Sequence, residues 1–335
     1  MQNLIITQTP YRISLGGGGT DIPFYAREQG GRLITAAIDQ YVMVSAAPRP
    51  LDDIILVQTT DVQFAEDIDD IRHALLREAI RYFNIKESIQ LATFTTIPTG
   101  IGLGTSSTLM VGLVNTLSKY TDKKNSSMEM ARIAHHIERE VLEFAGGVQD
   151  QYIAALGGLQ ILTIDRNGKV RAEPLSVKED KLKTLEHGLI LIYTGASRDS
   201  GKITKSQEAQ ISDKTFRVYD RIKGIGFESV DLLQDADLQG LGEAMDEHWA
   251  LKKTLSDDIS NTRLDELYIE LKRLGSPGGK IVGAGGGGFF MMAMPSDVET
   301  YTSKIRKLGY RILDWKFEFK GTHTVDTNNI IRNKW

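Results

Sequence analysis

Residues 97–108 read Ile-Pro-Thr-Gly-Ile-Gly-Leu-Gly-Thr-Ser-Ser-Thr. Gly100, Gly102 and Gly104 alternate with apolar residues, and a run of hydroxyl side chains follows at once. The apolar residues of 109–117 then recur with helical rather than alternating spacing. A glycine-rich turn that opens a helix leaves free N–H groups and the positive end of the helix dipole facing one point. Glycine also lets an anion approach the backbone with no Cβ in the way. Phosphate binding is the chemistry this suits. Thr105, Ser106 and Ser107 can cap the helix or reach a metal riding on the phosphate, with carboxylates from elsewhere completing that site. Taken alone, an N-capped helix after a glycine-rich turn would look the same.

Two further glycine runs flank this one in the chain. Gly16-Gly17-Gly18-Gly19 is followed by Thr20-Asp21, and Gly283-Ala284-Gly285-Gly286-Gly287-Gly288 comes late. Four consecutive glycines are costly in conformational entropy, and a linker so early in a compact domain is a poor explanation for them. Close approach of a ligand to the backbone fits better, with Asp21 placed to hold hydroxyls or to cap the next segment. Residues 283–288 formally satisfy G-x-G-x-x-G but lead into an apolar strand, whereas a dinucleotide fingerprint opens a helix. A Walker A loop is excluded, because the residues around Lys280 have the wrong spacing and no hydroxyl after the lysine. His135 and His136 are adjacent, so on a helix they point to different faces and do not form a metal pair.

Elements must bring these segments together. Strands are expected over 4–9, 32–47, 54–58, 91–96 and 188–193, a hairpin over 159–175, and strands again over 280–282, 289–294 and 310–319. Helices are expected over 68–83, 126–144 and 298–308, with three or four more between 202 and 274. Helices and strands alternate without a regular βαβ rhythm, so the fold class is α+β in two layers. The length of 335 residues allows two domains, taken as 1–184 and 185–335.

Composition is that of an ordinary globular chain. A formal charge of −4 provides no electrostatic footprint for nucleic acid. There is no cysteine, which excludes disulfides and thiolate metal sites. No apolar run approaches the roughly 18–20 residues needed to cross a bilayer, and residues 1–9 lack the features of a signal peptide. A cytoplasmic protein with small-molecule partners, no membrane and no nucleic acid is expected; the oligomeric state stays open.

The three glycine-rich segments, in this order and spacing, resemble the three motifs of the GHMP kinase superfamily. Residues 10–21 resemble the first motif, 98–108 the ATP-phosphate motif and 280–290 the third. Arg12-Ile13-Ser14-Leu15 before the glycines, Gly30-Gly31-Arg32, Ala37-Ile38-Asp39, Ile137-Glu138-Arg139-Glu140 and residues 147–152 are similar to the sugar-1-kinase branch that takes heptose 7-phosphates. One departure is Thr105, where the superfamily usually has serine. The resemblance implies a two-domain fold, with a ribosomal-protein-S5-like first domain and a ferredoxin-like α+β second domain. It also implies ATP and Mg2+ as cofactors, and phosphorylation of the anomeric hydroxyl of D-glycero-D-manno-heptose 7-phosphate.

Roles implied by the resemblance follow residue by residue. Asp150 matches the catalytic aspartate that takes the acceptor proton, and Arg12 the basic residue beside it. Pro98, Gly100, Gly102, Leu103, Gly104, Thr105, Ser106 and Ser107 match the ATP-binding loop. Ser106 and Glu138 match the metal ligands, with Glu138 preferred over Glu140. Gly18, Gly19, Thr20, Asp21, Gly286 and Gly287 match the acceptor site. Arg198, with Lys202 and Lys205 at helical spacing, is the candidate for a distal phosphate on the acceptor. Rival expectations are a kinase for an unphosphorylated sugar such as fucose, galactose or a uronic acid, and a catalytically silent ATP- and sugar-binding sensor. A mevalonate-type decarboxylase fits the Arg12 and Asp21 pattern less well.

Overall fold

The computed structural model describes residues 4–86, 88–98, 100–196, 200–208 and 211–326. Two antiparallel-rich sheets with helices packed on them form the α+β architecture expected. Strand Gly31–Pro48 organises the first sheet. One of its edges is covered by Ile5–Gly16 along nearly its whole length; the other takes Leu159–Ile164 on its first half and Ile89–Thr95 on its second. Ile55–Gln58 lies beyond, parallel to Ile89–Thr95, and Val62–Ala65 closes that end. A parallel pair needs a crossover, and helix Ala74–Tyr82 supplies it, burying Leu75, Leu76, Ala79 and Ile80.

Helix Thr105–Tyr120 is buried almost all round, its buried residues including Ser107, Thr108, Asn115, Thr116 and Ser118 beside the apolar ones. It packs on Ile5–Gly16 and Gly31–Pro48 and is covered by Ala74–Tyr82, Ser127–His135 and Gln149–Leu156. That burial fixes its N-terminus, and with it the glycine-rich loop, against the end of the first strand.

The second sheet runs Arg311–Leu313, Leu189–Tyr193, Phe289–Ala293, Gly278–Ile281, antiparallel throughout. Helices Leu238–Lys253, Thr262–Arg273 and Val298–Lys307 complete its core around Trp249, Tyr268 and Phe290. The long helix Asp213–Asp235 crosses to the first sheet: the Tyr25 hydroxyl donates to Asp220 at 2.6 Å, and Gly226 packs on the Gly17 backbone.

Several local expectations are corrected. The single helix expected over 68–83 is a 3-10 turn, Ile68–Asp70, begun by the Asp67 carboxylate accepting the Asp69 amide, and then Ala74–Tyr82; Ile71 and His73 take extended backbone angles and separate the two. The helix expected over 126–144 starts on a capping box between Ser126 and Glu129, but beyond His135 it widens into a π turn, His136–Val141. The strand expected over 310–319 survives only as Arg311–Leu313. The following residues leave the second layer and strap the first: Glu318 N–H donates to Ala37, Gly158 N–H to Glu318, and His323–Thr324 adds a strand beside Ile5–Gly16. The expected second domain thus returns its tail to the first. Thr9, Asn115 and Thr322 hold that strap through buried hydroxyl and amide bonds.

Candidate active site

Both layers open onto one cavity of about 1030 Å³. Its floor is an ion pair. Arg12, on strand Ile5–Gly16, donates from Nε to Asp150 Oδ1 at 2.7 Å and from Nη2 to Oδ2 at 3.0 Å. Its Nη1 donates to the Gly102 carbonyl at 2.6 Å, so the guanidinium fork joins the glycine loop to the carboxylate. Arg12 is 4% exposed and Asp150 19%, leaving the carboxylate edge open to the cavity. Each oxygen keeps a lone pair beyond its bond to Arg12 and can accept a proton. Asp150 stands in the first turn of helix Gln149–Leu156, beside Gly104. A Cβ at Gly104 would come within 2.9 Å of Asp150 Oδ2, and its φ of 79° is left-handed, so this position admits glycine alone without strain.

Around the loop, Gly100, Gly102, Gly104, Thr105, Ser106 and Ser107 border the cavity. Pro98 and Leu103 do not: Pro98 is exposed outside it, and the Leu103 side chain is core while its carbonyl faces the Arg12 N–H. Ser106 donates to Glu138 Oε1 at 2.8 Å, and Gln151 donates to Glu138 Oε2 at 2.6 Å and to Ser107 at 3.0 Å. Glu138 is fully buried yet borders the cavity, and no ion pair is formed by it among the described residues. The π turn separates the two candidate glutamates: Glu138 faces Ser106, while Glu140 is exposed and meets His136. A buried carboxylate without a cation, beside a serine hydroxyl at a phosphate-type loop, is a donor set that fits a divalent ion shared with a phosphate.

Gly18, Gly19 and Asp21 also border the cavity. Asp21 Oδ2 accepts the N–H groups of Val148 and Gln149 at 2.9 and 3.0 Å. Its carboxylate therefore caps the helix that carries Asp150. Burial, first, and the nearby Asp150 charge hold the Asp21 carboxyl above the usual carboxylate range, against the pull of those amides. Thr20 is corrected from its expected place at the acceptor. It is fully buried, its hydroxyl donates to the Gly17 and Arg32 carbonyls, and it pins the glycine run instead. In the third segment Gly285 and Gly287 border the cavity, whereas the Gly286 N–H is taken by the Ile259 carbonyl at 2.7 Å. Gly283 packs backbone to backbone on Gly102, where a Cβ on either would collide with a carbonyl, so the second layer seals against the loop. Lys202 and Lys205 also border the cavity; Arg198 lies outside the described residues.

The sequence reading assigned no role to Gln151, His248, Lys252 or Lys280. The last three come from the second layer and border the cavity, all buried. Burial, first, and the nearby Arg12 charge push Lys252 down to about 8 against the pull of Asp21, and burial with the Lys252 and Arg12 charges pushes Lys280 down to about 7. One signal existed. Lys280 stands in strand Gly278–Ile281, whose residues are all buried, where a lysine has no structural reason to be.

Comparison with known proteins shows the family. Residues 72–158 match the model of the GHMP kinases N terminal domain, and residues 229–311 that of the GHMP kinases C terminal. The chain is 30% identical over 330 residues to D-glycero-alpha-D-manno-heptose 7-phosphate kinase of Campylobacter jejuni, covering 95% of this chain and 97% of that protein. It is 24% identical over 310 residues to the bifunctional fucokinase/GDP-fucose pyrophosphorylase of Arabidopsis thaliana, covering 85% of this chain and 29% of the larger enzyme. Among solved structures, a D-glycero-D-manno-heptose 1-phosphate kinase from Bacteroides thetaiotaomicron superposes with a TM-score of 0.80 at 24% identity, over 96% of this chain and 99% of that one, which speaks for the fold. From motif order, two-layer fold and full-length similarity, this chain belongs to the GHMP kinases.

Proposed function

We propose that the chain phosphorylates the anomeric hydroxyl of D-glycero-D-manno-heptose 7-phosphate, giving the 1,7-bisphosphate. GHMP kinases use ATP as phosphate donor. The observation that carries the reading is the Arg12–Asp150 pair, set at the floor of the same cavity as the loop from Gly100 to Ser107. Full-length similarity to a heptose 7-phosphate kinase supports the acceptor. The donor loop belongs to the unit of residues 1–184 and the third glycine segment to 185–335, so the acceptor is held where the two meet.

In this reading the loop amides take the β- and γ-phosphates. The C1 hydroxyl attacks the γ-phosphorus, its proton passes to the open edge of Asp150, and the bond to the β-phosphate oxygen breaks to release ADP. Arg12 holds the carboxylate in line and keeps positive charge beside the transferring group. Ser106 and Glu138 would hold Mg2+, which when bound neutralises charge on the β- and γ-phosphate oxygens. Gln151 orients Glu138 for that purpose. Asp21 fixes the helix that carries Asp150, with Gly18 and Gly19 forming the acceptor wall.

An ADP-release assay with MgATP tests the acceptor. The panel is heptose 7-phosphate, mannose 6-phosphate, free heptose, fucose, galactose, glucuronate and mevalonate. Turnover concentrated on heptose 7-phosphate is expected. Preferred turnover on an unphosphorylated sugar would keep the phosphoryl-transfer chemistry and overturn the acceptor, and ATP binding without turnover on any of them would favour a sensor.

A further inference from the structure

Lys252 and Lys280 are 8% and 3% exposed, both border the cavity, and neither has a carboxylate in ion-pair distance among the described residues. Lys252 donates to the Gly283 carbonyl, which leaves its charge uncompensated. The charges that act on the two ammonium groups are Arg12 on both, Asp21 on Lys252 and Lys252 on Lys280. Arg12 is already committed to Asp150, and the Asp21 carboxylate is engaged by two backbone N–H groups. His248, one helical turn before Lys252, is buried with Nδ1 unpaired and is hydrogen-bonded with the Gly18 backbone. Burial and the two lysines hold its imidazole well below the ordinary range, so it stays neutral and adds no third positive charge.

Two buried ammonium groups aimed at one cavity without an anion are unfavourable in the free protein. A ligand bringing two negative charges removes that cost and gains charge-assisted hydrogen bonds from both. The contact of His248 with Gly18, and the proximity of Lys252 to Asp21, place the cluster on the acceptor side of Asp150. Ser106 and Glu138 hold the donor side. We propose that Lys252 and Lys280 bind a phosphoryl dianion, separately from the phosphates held by the loop of the first layer. The group is either the phosphate carried by the acceptor sugar or the phosphoryl group in transit. The first source rests on the acceptor assigned above; the site itself does not.

Inorganic phosphate is the probe. The full-length protein, saturated with MgADP, is titrated with phosphate and its Tm followed for the wild type, Lys280→Met, Lys252→Met and Lys280→Arg. A phosphate-dependent rise in Tm is expected for the wild type and Lys280→Arg, and its loss, with at least tenfold weaker apparent affinity, in either methionine variant. If only one methionine variant folds, it alone decides. Phosphate that stabilises the methionine variants as much as the wild type, or none of the proteins, overturns the proposal. Phosphate inhibition of turnover then separates the sources. Competition with the acceptor, with acceptor KM raised at least tenfold in Lys280→Met, assigns the site to the acceptor's phosphate. Unchanged KM values with kcat reduced at least tenfold assign it to the phosphoryl group in transit. Failure of the wild type to use heptose 7-phosphate would remove the proposed acceptor while the titration still decides the site.

Discussion

Arg12 and Lys280 are buried cations of one cavity, and they are buried in opposite ways. Arg12 meets a carboxylate through both arms of its fork and a backbone carbonyl through the third nitrogen. Lys280 and its neighbour Lys252 meet no carboxylate among the described residues. The first arrangement is complete without a ligand and serves to hold Asp150. The second is complete only when an anion arrives. A buried cation is informative through its partner, and in the proposed reading the contrast separates the group that positions the base from those that bind an anion.

The largest effect is expected where the complete pair is broken. Asp150→Asn keeps the side-chain shape and removes the proton acceptor, so kcat should fall by about 10²–10⁴-fold. MgATP binding, followed by calorimetry, should change little. A variant that keeps half of the wild-type kcat would take Asp150 out of the chemistry.

A smaller effect is expected at Glu138. Glu138→Gln removes the buried anion but keeps a side chain that Ser106 and Gln151 can still reach. The Mg2+ concentration that half-saturates the rate should rise roughly tenfold or more. An unchanged Mg2+ dependence would assign Glu138 to packing alone.

At the lysines the expected effect on stability is small and of opposite sign. Lys280→Met replaces an uncompensated buried charge with an apolar side chain of similar length, and the ligand-free protein should gain about 1–3 kcal/mol. The pH dependence sharpens this. The folded pKa of Lys280 is about 7, against 10.5 for an ordinary lysine. Between these values the unfolded chain binds the proton and the folded one does not, so this lysine makes stability rise with pH across that window. Below about 7 both states are protonated and the cost is constant. Lys280→Met should lose that slope in denaturant titrations between pH 7 and 10. Affinity for the phosphoryl ligand should move the other way, weakening as pH rises through 7 to 8 and the two lysines lose their charge. A Lys280→Met protein less stable than wild type at pH 7 would contradict the account of an uncompensated charge.

Features that depend on near neighbours in the chain were legible in the sequence. The three glycine runs, the hairpin Leu159–Ile164 with Val170–Pro174, the helix start at Ser126 and the strand Phe289–Ala293 each carry a local signature. The π turn at His136–Val141 was not legible, because it arises where a helix must turn Glu138 toward Ser106, and nothing in residues 136–141 states that need. Nor was the tail, whose short polar stretches gain strand pairing only from a sheet made by residues far earlier. The family resemblance put Thr20 and Asp21 at the acceptor, while their place after four glycines left Asp21 open between holding hydroxyls and capping. The fold uses Thr20 to pin the run, and one oxygen of Asp21 to cap a helix about 130 residues away in sequence. Lys252 sits in a last helical turn, where a lysine is normally a solvated partner of the dipole, and only the sheet packed over it reveals its burial.

The most direct test of the central claim is the position of the new phosphate. With MgATP, heptose 7-phosphate and the wild-type protein, a two-dimensional 1H–31P correlation should show one new phosphorus signal coupled to H1 of the sugar, absent with Asp150→Asn. A new signal coupled to any other sugar proton, or the same H1 signal at full rate from Asp150→Asn, would contradict the assignment of Arg12 and Asp150 to transfer at the anomeric hydroxyl.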